Sequence, residues 1–311
     1  MDFITAEKGA QPTLSETEPP HHHLPPTSTS SPLLTYDQLP SWHQDSPLIH
    51  TSYRPISYSI PLSLRSCFHL HNETLSIHTH SLPFLLCLFF TAFIFYLLPK
   101  HYPSASRADK AVFSLWFALS ATCLGLSAGY HTLMNHSQRV ASVWLRLDFV
   151  GIVLMILGDF ASGIYVAFYC EGRERWGYWG MILALALLCV VVLLHPKFQG
   201  PRWRIFRVGL FVGTACSGFA PIVNAIVIFG WREVVRGTGM PWYLGEGGLL
   251  VVAATVYAMR IPERWRPGKY DLVGHSHQIF HVLVVVATGM HLVGLLTAYD
   301  YEYHHPRCGS R

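Results

Sequence analysis

The sequence predicts an all-α fold: a bundle of seven membrane-spanning helices behind a disordered N-terminal tail. Charged residues make up only 13% of the chain and hydrophobic ones 51%, whereas soluble domains carry about 25% charged residues. Mean hydropathy is +0.30. The apolar residues gather in seven runs close to the roughly 20 residues that span a bilayer as a helix. Short connections with Pro, Gly and basic residues divide them, such as Pro196-Lys197 and the stretch from Pro262 to Lys269. A formal charge of +4 is too small and too dispersed to argue for a nucleic-acid partner.

In chain order, residues 1–65 are rich in Pro, Ser, Thr and His. Such a segment buries too little apolar surface to offset its ordering entropy, so it is expected to be a disordered tail. It holds no signal-peptide pattern. Residues 66–80 mix apolar and polar groups and suit an interfacial segment before the first span. The membrane domain, residues 66–300, contains spans at Leu82–Leu98, Ala111–Leu133, Leu147–Phe168, Tyr178–Leu194, Val208–Phe229, Tyr243–Met259 and Ile279–Ala298. A short tail, residues 301–311, follows. In the fifth span, Gly213, Ser217, Gly218 and Pro221 predict a smooth, kinkable helix suited to close packing or to gating lipid entry. Seven cysteines lie scattered without a CxxC pair, a pattern that reads as buried free thiols rather than a disulfide framework.

The loops after the even-numbered spans hold nine basic residues, from Arg139 to Lys269, and those after the first, third and fifth hold seven. This excess favours a cytosolic N-terminus. Both glycosylation sequons, at Asn72 and Asn135, then fall on the cytosolic side and are expected to be unused.

The seventh span opens with His277 and His281, four residues apart, so both imidazoles project from one helical face. That spacing presents two ligands to one metal ion, as in zinc proteases, although Gln278 stands where those carry a glutamate base. Alternation of the spans puts the end of the second, the start of the third and the start of the seventh on one membrane face. The second ends with Ser127 and His131, again four apart, and the third opens with Asp148. Three imidazoles make an open zinc site, in which Zn2+ lowers the pKa of water to about 7. Two roles are open to Asp148: a general base acting on that water, or a fourth ligand. Ser127 is a candidate to hold the water or to donate to a developing oxyanion.

These blocks resemble the adiponectin-receptor family, also called progestin and adipoQ receptors, within the haemolysin III group. The likeness runs from about Tyr53 to Ala298. It rests on HNETLSIHTH (71–80), SAGYHTLMNHS (127–137), RLDFVGI (146–152) and PERWRPGKYDLVGHSHQIFH (262–281). It implies seven helices with a cytosolic N-terminus and zinc held by His131, His277 and His281, with Asp148 and Ser127 beside it. It also implies lipid signalling or metabolism in a plasma or endoplasmic-reticulum membrane, with a ceramide-like lipid amide as substrate or an extracellular ligand as partner. A receptor with structural zinc and a zinc-handling or pore protein are the competing readings. Ser76, His78 and Asn135 depart from the family pattern. So does Asp159, an intramembrane acid expected either to line a water-filled cavity above the zinc or to pair with another group.

Overall fold

The computed structural model describes residues 33–198 and 200–308; the tail expected over residues 1–32 lies outside them. Ten α-helices occur among the described residues. They are α1 (Ile60–Ser66), α2 (Thr74–His101), α3 (Arg107–Leu133), α4 (Gln138–Ala167), α5 (Gly172–Leu194), α6 (Arg204–Cys216), α7 (Phe219–Phe229), α8 (Trp231–Gly237), α9 (Met240–Met259) and α10 (Ser276–His304). Counting α6 and α7 as one broken span, seven are long and apolar enough to cross a membrane. The only β pairing among the described residues is one isolated bridge, Leu34 to Tyr53.

The spans begin earlier than expected, at Thr74 rather than Leu82 and at Gln138 rather than Leu147. Hydropathy registers only the apolar middle of a span, while helical backbone bonds continue through its polar first turns. Residues 74–80 are thus the first turns of α2, not a separate interfacial segment. Span five breaks within the stretch read as kinkable, between Cys216 and Phe219. Ser217 Oγ donates to the Thr214 carbonyl at 2.7 Å, and Pro221 removes a backbone donor from the following turn.

The core lies between α2, α3, α4 and α10, around Phe113, Trp116, Leu124, Val166, Leu295 and Tyr299. The outward faces of α2 and α5 leave Leu85, Phe89, Leu187 and Val191 exposed, as lipid contact requires. At the end of the bundle where α3 starts, Asp109 caps that helix through Ser106 and is fully buried. It accepts hydrogen bonds from Tyr165, Tyr169 and Tyr299 at 2.7, 2.8 and 2.9 Å. At the same end, Cys170 and Cys308 form a disulfide across 138 residues, with five cysteines left free. Free thiols had been expected throughout; a bridge between such distant positions leaves no local spacing to read.

Residues 33–65, expected to extend the disordered tail, pack over the opposite end. Asp271 accepts from the backbone N–H groups of His50 and Thr51 at 3.0 and 2.8 Å, and Gly268 N–H donates to Leu48 at 3.0 Å. Arg204 donates to Asp45 at 3.0 Å. The segment is ordered by a small apolar cluster of Leu39, Ile49 and Tyr53 and by polar bonds to distant loops, and composition does not reveal the latter.

Candidate metal centre

His131 sits in the last turn of α3, and His277 and His281 in the first turns of α10. Their ring centroids form a triangle with sides of 4.8 Å each. His131 Nε2 and His277 Nε2 are 3.1 Å apart. A tetrahedral zinc with Zn–N bonds of about 2.0–2.1 Å separates its ligand atoms by about 3.3 Å, so the spacing fits. His131 and His281 are buried and His277 half-buried.

Hydrogen bonding at the outer nitrogens also suits a metal. Glu73, the residue capping α2, faces His131 Nδ1 at 2.7 Å. An ionised carboxylate only accepts, so Nδ1 carries the proton and the neutral ring leaves its Nε2 lone pair bare. His281 Nδ1 lies 3.1 Å from the Ser76 carbonyl, which likewise leaves Nε2 free. Oriented imidazoles of this kind, with an acceptor behind each ring, are the usual support of a zinc ligand. Burial pushes the Glu73 carboxyl upward, but its bond to His131 outweighs this and holds it well below the usual carboxylate range.

Arg54 fixes the end of α3 that bears His131. Its guanidinium donates to the carbonyls of His131 and Thr132 at 2.5 and 3.0 Å and to Ser66 Oγ at 2.7 Å. Those carbonyls belong to the last turn, where the helix dipole favours a cation. Burial lowers the Arg54 pKa to about 10, so the group stays charged at neutral pH.

The start of α10 is pinned as firmly. Glu263 accepts from Ser276 N–H at 2.7 Å and from the Ser276 hydroxyl. Gln278, in the position of the protease glutamate, is buried and turned to other partners. It accepts from Gly274 N–H at 2.6 Å and donates to the carbonyls of Asn72 and Leu272 at 2.9 and 3.0 Å. His275 points off the ligand face, its Nε2 3.2 Å from the Asn72 carbonyl. His80 stacks flat on His281 at 3.7 Å, with neither ring nitrogen hydrogen-bonded among the described residues.

Asp148 is buried and faces Ser127 and His131. The set of ligand atoms lying within 4.8 Å of one another contains the three histidines and not Asp148. All five expected residues therefore meet at one end of the bundle, with the carboxylate beside the imidazole triad rather than in it. Asp159 is elsewhere and paired: Trp116 Nε1 donates to it at 2.8 Å, and His291 Nδ1 lies 3.6 Å away. Of its two expected roles, the structure shows pairing.

Sequence reasoning missed Glu73 and Arg54. Glu73 carried a signal, being an acid before the first span on the face where parity gathers the histidines. Arg54 carried none, because its partners are backbone carbonyls near residue 131.

Comparison with known proteins agrees with this architecture. The family model described as haemolysin-III related matches residues 68–292. The chain is 34% identical over 273 residues to an adiponectin receptor protein of Drosophila melanogaster, covering 88% of this chain and 61% of that one. It is 37% identical over 263 residues to a progestin and adipoQ receptor-like protein of Caenorhabditis elegans, covering 85% and 60%. An ADIPOR-like receptor of Saccharomyces cerevisiae is 34% identical over 273 residues, covering 86% and 84%. The chain thus spans about 60% of the length of the fly and worm relatives. With seven apolar helices and this likeness across most of its length, the chain is an adiponectin-receptor-like integral membrane protein and belongs to the haemolysin-III-related family.

Proposed function

We propose that the protein is a zinc-dependent hydrolase of a ceramide-like lipid amide. The observation that carries this reading is the convergence of three imidazoles, two of them (His131 and His281) with an acceptor at the outer nitrogen, beside a carboxylate that stands outside the ligand set. His131, His277 and His281 would hold the zinc, which when bound supplies a Lewis acid and lowers the pKa of water.

The remaining chemistry belongs to the chain. Asp148 takes the proton of the attacking water as it adds to the amide carbonyl, and returns it to the departing amine. Ser127, facing Asp148, orients that carboxylate toward the water. Glu73 keeps the His131 ring from rotating. The substrate reaches the site laterally, because a centre at the ends of apolar spans suits a molecule already dissolved in the bilayer.

The N-terminus is assigned to the cytosol. The excess of basic residues on the histidine side supports this. So does the Cys170–Cys308 disulfide at the other end, since disulfides persist in oxidising compartments.

A second reading, favoured by the receptor names of the relatives, is a signalling receptor in which zinc is structural. Turnover of a panel of lipid amides by purified protein, with and without chelator, separates the two. The hydrolase reading expects chelator-sensitive turnover that Asp148→Ala abolishes while zinc stays bound. Absence of turnover by wild-type protein with zinc bound would overturn it in favour of the receptor.

A further inference from the structure

A second group of metal-ligating side chains lies deeper along the same helices. Asp159 of α4, Glu246 of α9 and His291 of α10 bring one ligand atom each to within 4.8 Å of one another. Asp159 is eleven residues beyond Asp148 on α4, and His291 ten beyond His281 on α10. At about 1.5 Å per residue, both helices displace this cluster by roughly 15–16 Å from the histidine triad. It is a separate centre, inside the apolar spans.

The ring of His291 is oriented from both sides. Ser162 Oγ donates to the Gly158 carbonyl at 2.9 Å, so its lone pair is free to accept from His291 Nε2–H, which lies 2.9 Å away. That places a proton on Nε2. His291 Nδ1 then faces Glu246 at 2.8 Å and Asp159 at 3.6 Å. A bare Nδ1 lone pair cannot sit against two carboxylates, since all three groups would be acceptors. A proton or a metal cation must lie between them.

Charge leads to the same requirement. Two ionised carboxylates and one imidazolium leave a net negative charge where ions are costly. Among the described residues, no Lys or Arg forms an ion pair with the cluster. Neutrality is reached with protons, as in an imidazolium with one protonated acid, or with a neutral imidazole and two carboxylates around a divalent cation. The two states differ by two protons, from Nδ1 and from one carboxyl.

An independent feature points to a ligand. Among the described residues the Tyr243 hydroxyl, which is buried, has no hydrogen-bond partner; it lies beside Gly163 of α4 and within electrostatic reach of Glu246 and Asp159. Its ring lies 4.9 Å from that of His291. Backbone packing holds it there: Gly239 (φ +71) lies against Gly294, and Gly294 in turn lies against Tyr243. An orphaned phenol oxygen in an apolar span is costly unless something at the cluster takes it up.

We propose that Asp159, Glu246 and His291 form a second, intramembrane site for a divalent first-row transition cation, which it binds in exchange for two protons. One imidazole with two carboxylates is a donor set suited to zinc, manganese or ferrous iron. The Tyr243 hydroxyl bonds a carboxylate oxygen or a water on that cation. Trp116, donating to Asp159, fixes the carboxylate that is not bonded to His291.

Zinc titration of chelator-stripped, detergent-purified full-length protein tests this. Wild type should take up two equivalents. Glu246→Gln and Asp159→Asn should each lose one, and His277→Ala should lose the other. Titration in two buffers of different ionisation enthalpy should show release of two protons for the equivalent lost in Glu246→Gln. Because each amide replacement leaves a neutral imidazolium–carboxylate pair, two separate variants guard against misfolding, and monodispersity on gel filtration checks each. Equal zinc uptake by wild type and both amide variants would overturn the proposal and leave the cluster holding protons alone.

Discussion

At the scale of single side chains, the proposed metal centre depends on which ring nitrogen carries a proton. Glu73 decides this for His131 and the Ser76 carbonyl for His281. Replacing Glu73 by Gln should lower zinc affinity about 10–100-fold, measured by competition with a chelator, because outer partners of ligating histidines contribute on that order. Unchanged affinity would remove Glu73 from the centre. Asp148→Asn should instead leave zinc affinity within about twofold and reduce lipid-amide turnover by about 10²–10⁴-fold, the range of a lost general base. At this scale the sequence was informative where a periodicity applied. The four-residue spacings of Ser127 with His131 and of His277 with His281, together with span parity and Asp148, brought together five of the residues that meet in the structure. Glu246 escaped notice although it is an acid within an apolar run, a signal that was available.

At the scale of elements, α3 and α10 meet through their ends, and each end is held by a charged group from outside the spans. Arg54 holds the last turn of α3, and Glu263 holds the first turn of α10. Arg54→Met should cost about 1.5–3 kcal/mol through lost charge-assisted bonds. It should therefore lower the unfolding temperature in detergent and weaken zinc binding, both read on one preparation. An unaltered unfolding temperature would mean that the α3 end holds itself. Hydropathy disclosed every span, and Gly213, Ser217, Gly218 and Pro221 marked the fifth as kinkable, because apolar runs and such clusters are local. Helix starts were not legible, since a helix extends through polar turns such as Thr74–His80. The packing of residues 33–65 was hidden for another reason: its bonds run to Asp271, Arg204 and Gly268, more than a hundred residues away.

At the scale of the whole molecule, the bundle is polarised. One end gathers histidines under the packed N-terminal segment, and the other carries Asp109 with its three tyrosines and the Cys170–Cys308 disulfide. Both sequons lie at the histidine end and are folded into the structure. Asn135 Nδ2 donates to the Pro55 carbonyl at 3.0 Å, and Asn72 is buried. Glycosidase treatment of the native protein should give no mass shift, and a shift would reverse the topology. In sealed membrane vesicles that expose the disulfide end, a membrane-impermeant thiol reagent should label Cys170 and Cys308 only after reduction.

The most direct test of the proposed metal centre is the zinc content of purified wild-type protein beside His277→Ala, which alters the least buried of the three proposed ligands. The histidine triad predicts that the variant loses one equivalent of zinc while remaining monodisperse. Equal zinc in the two proteins would contradict it.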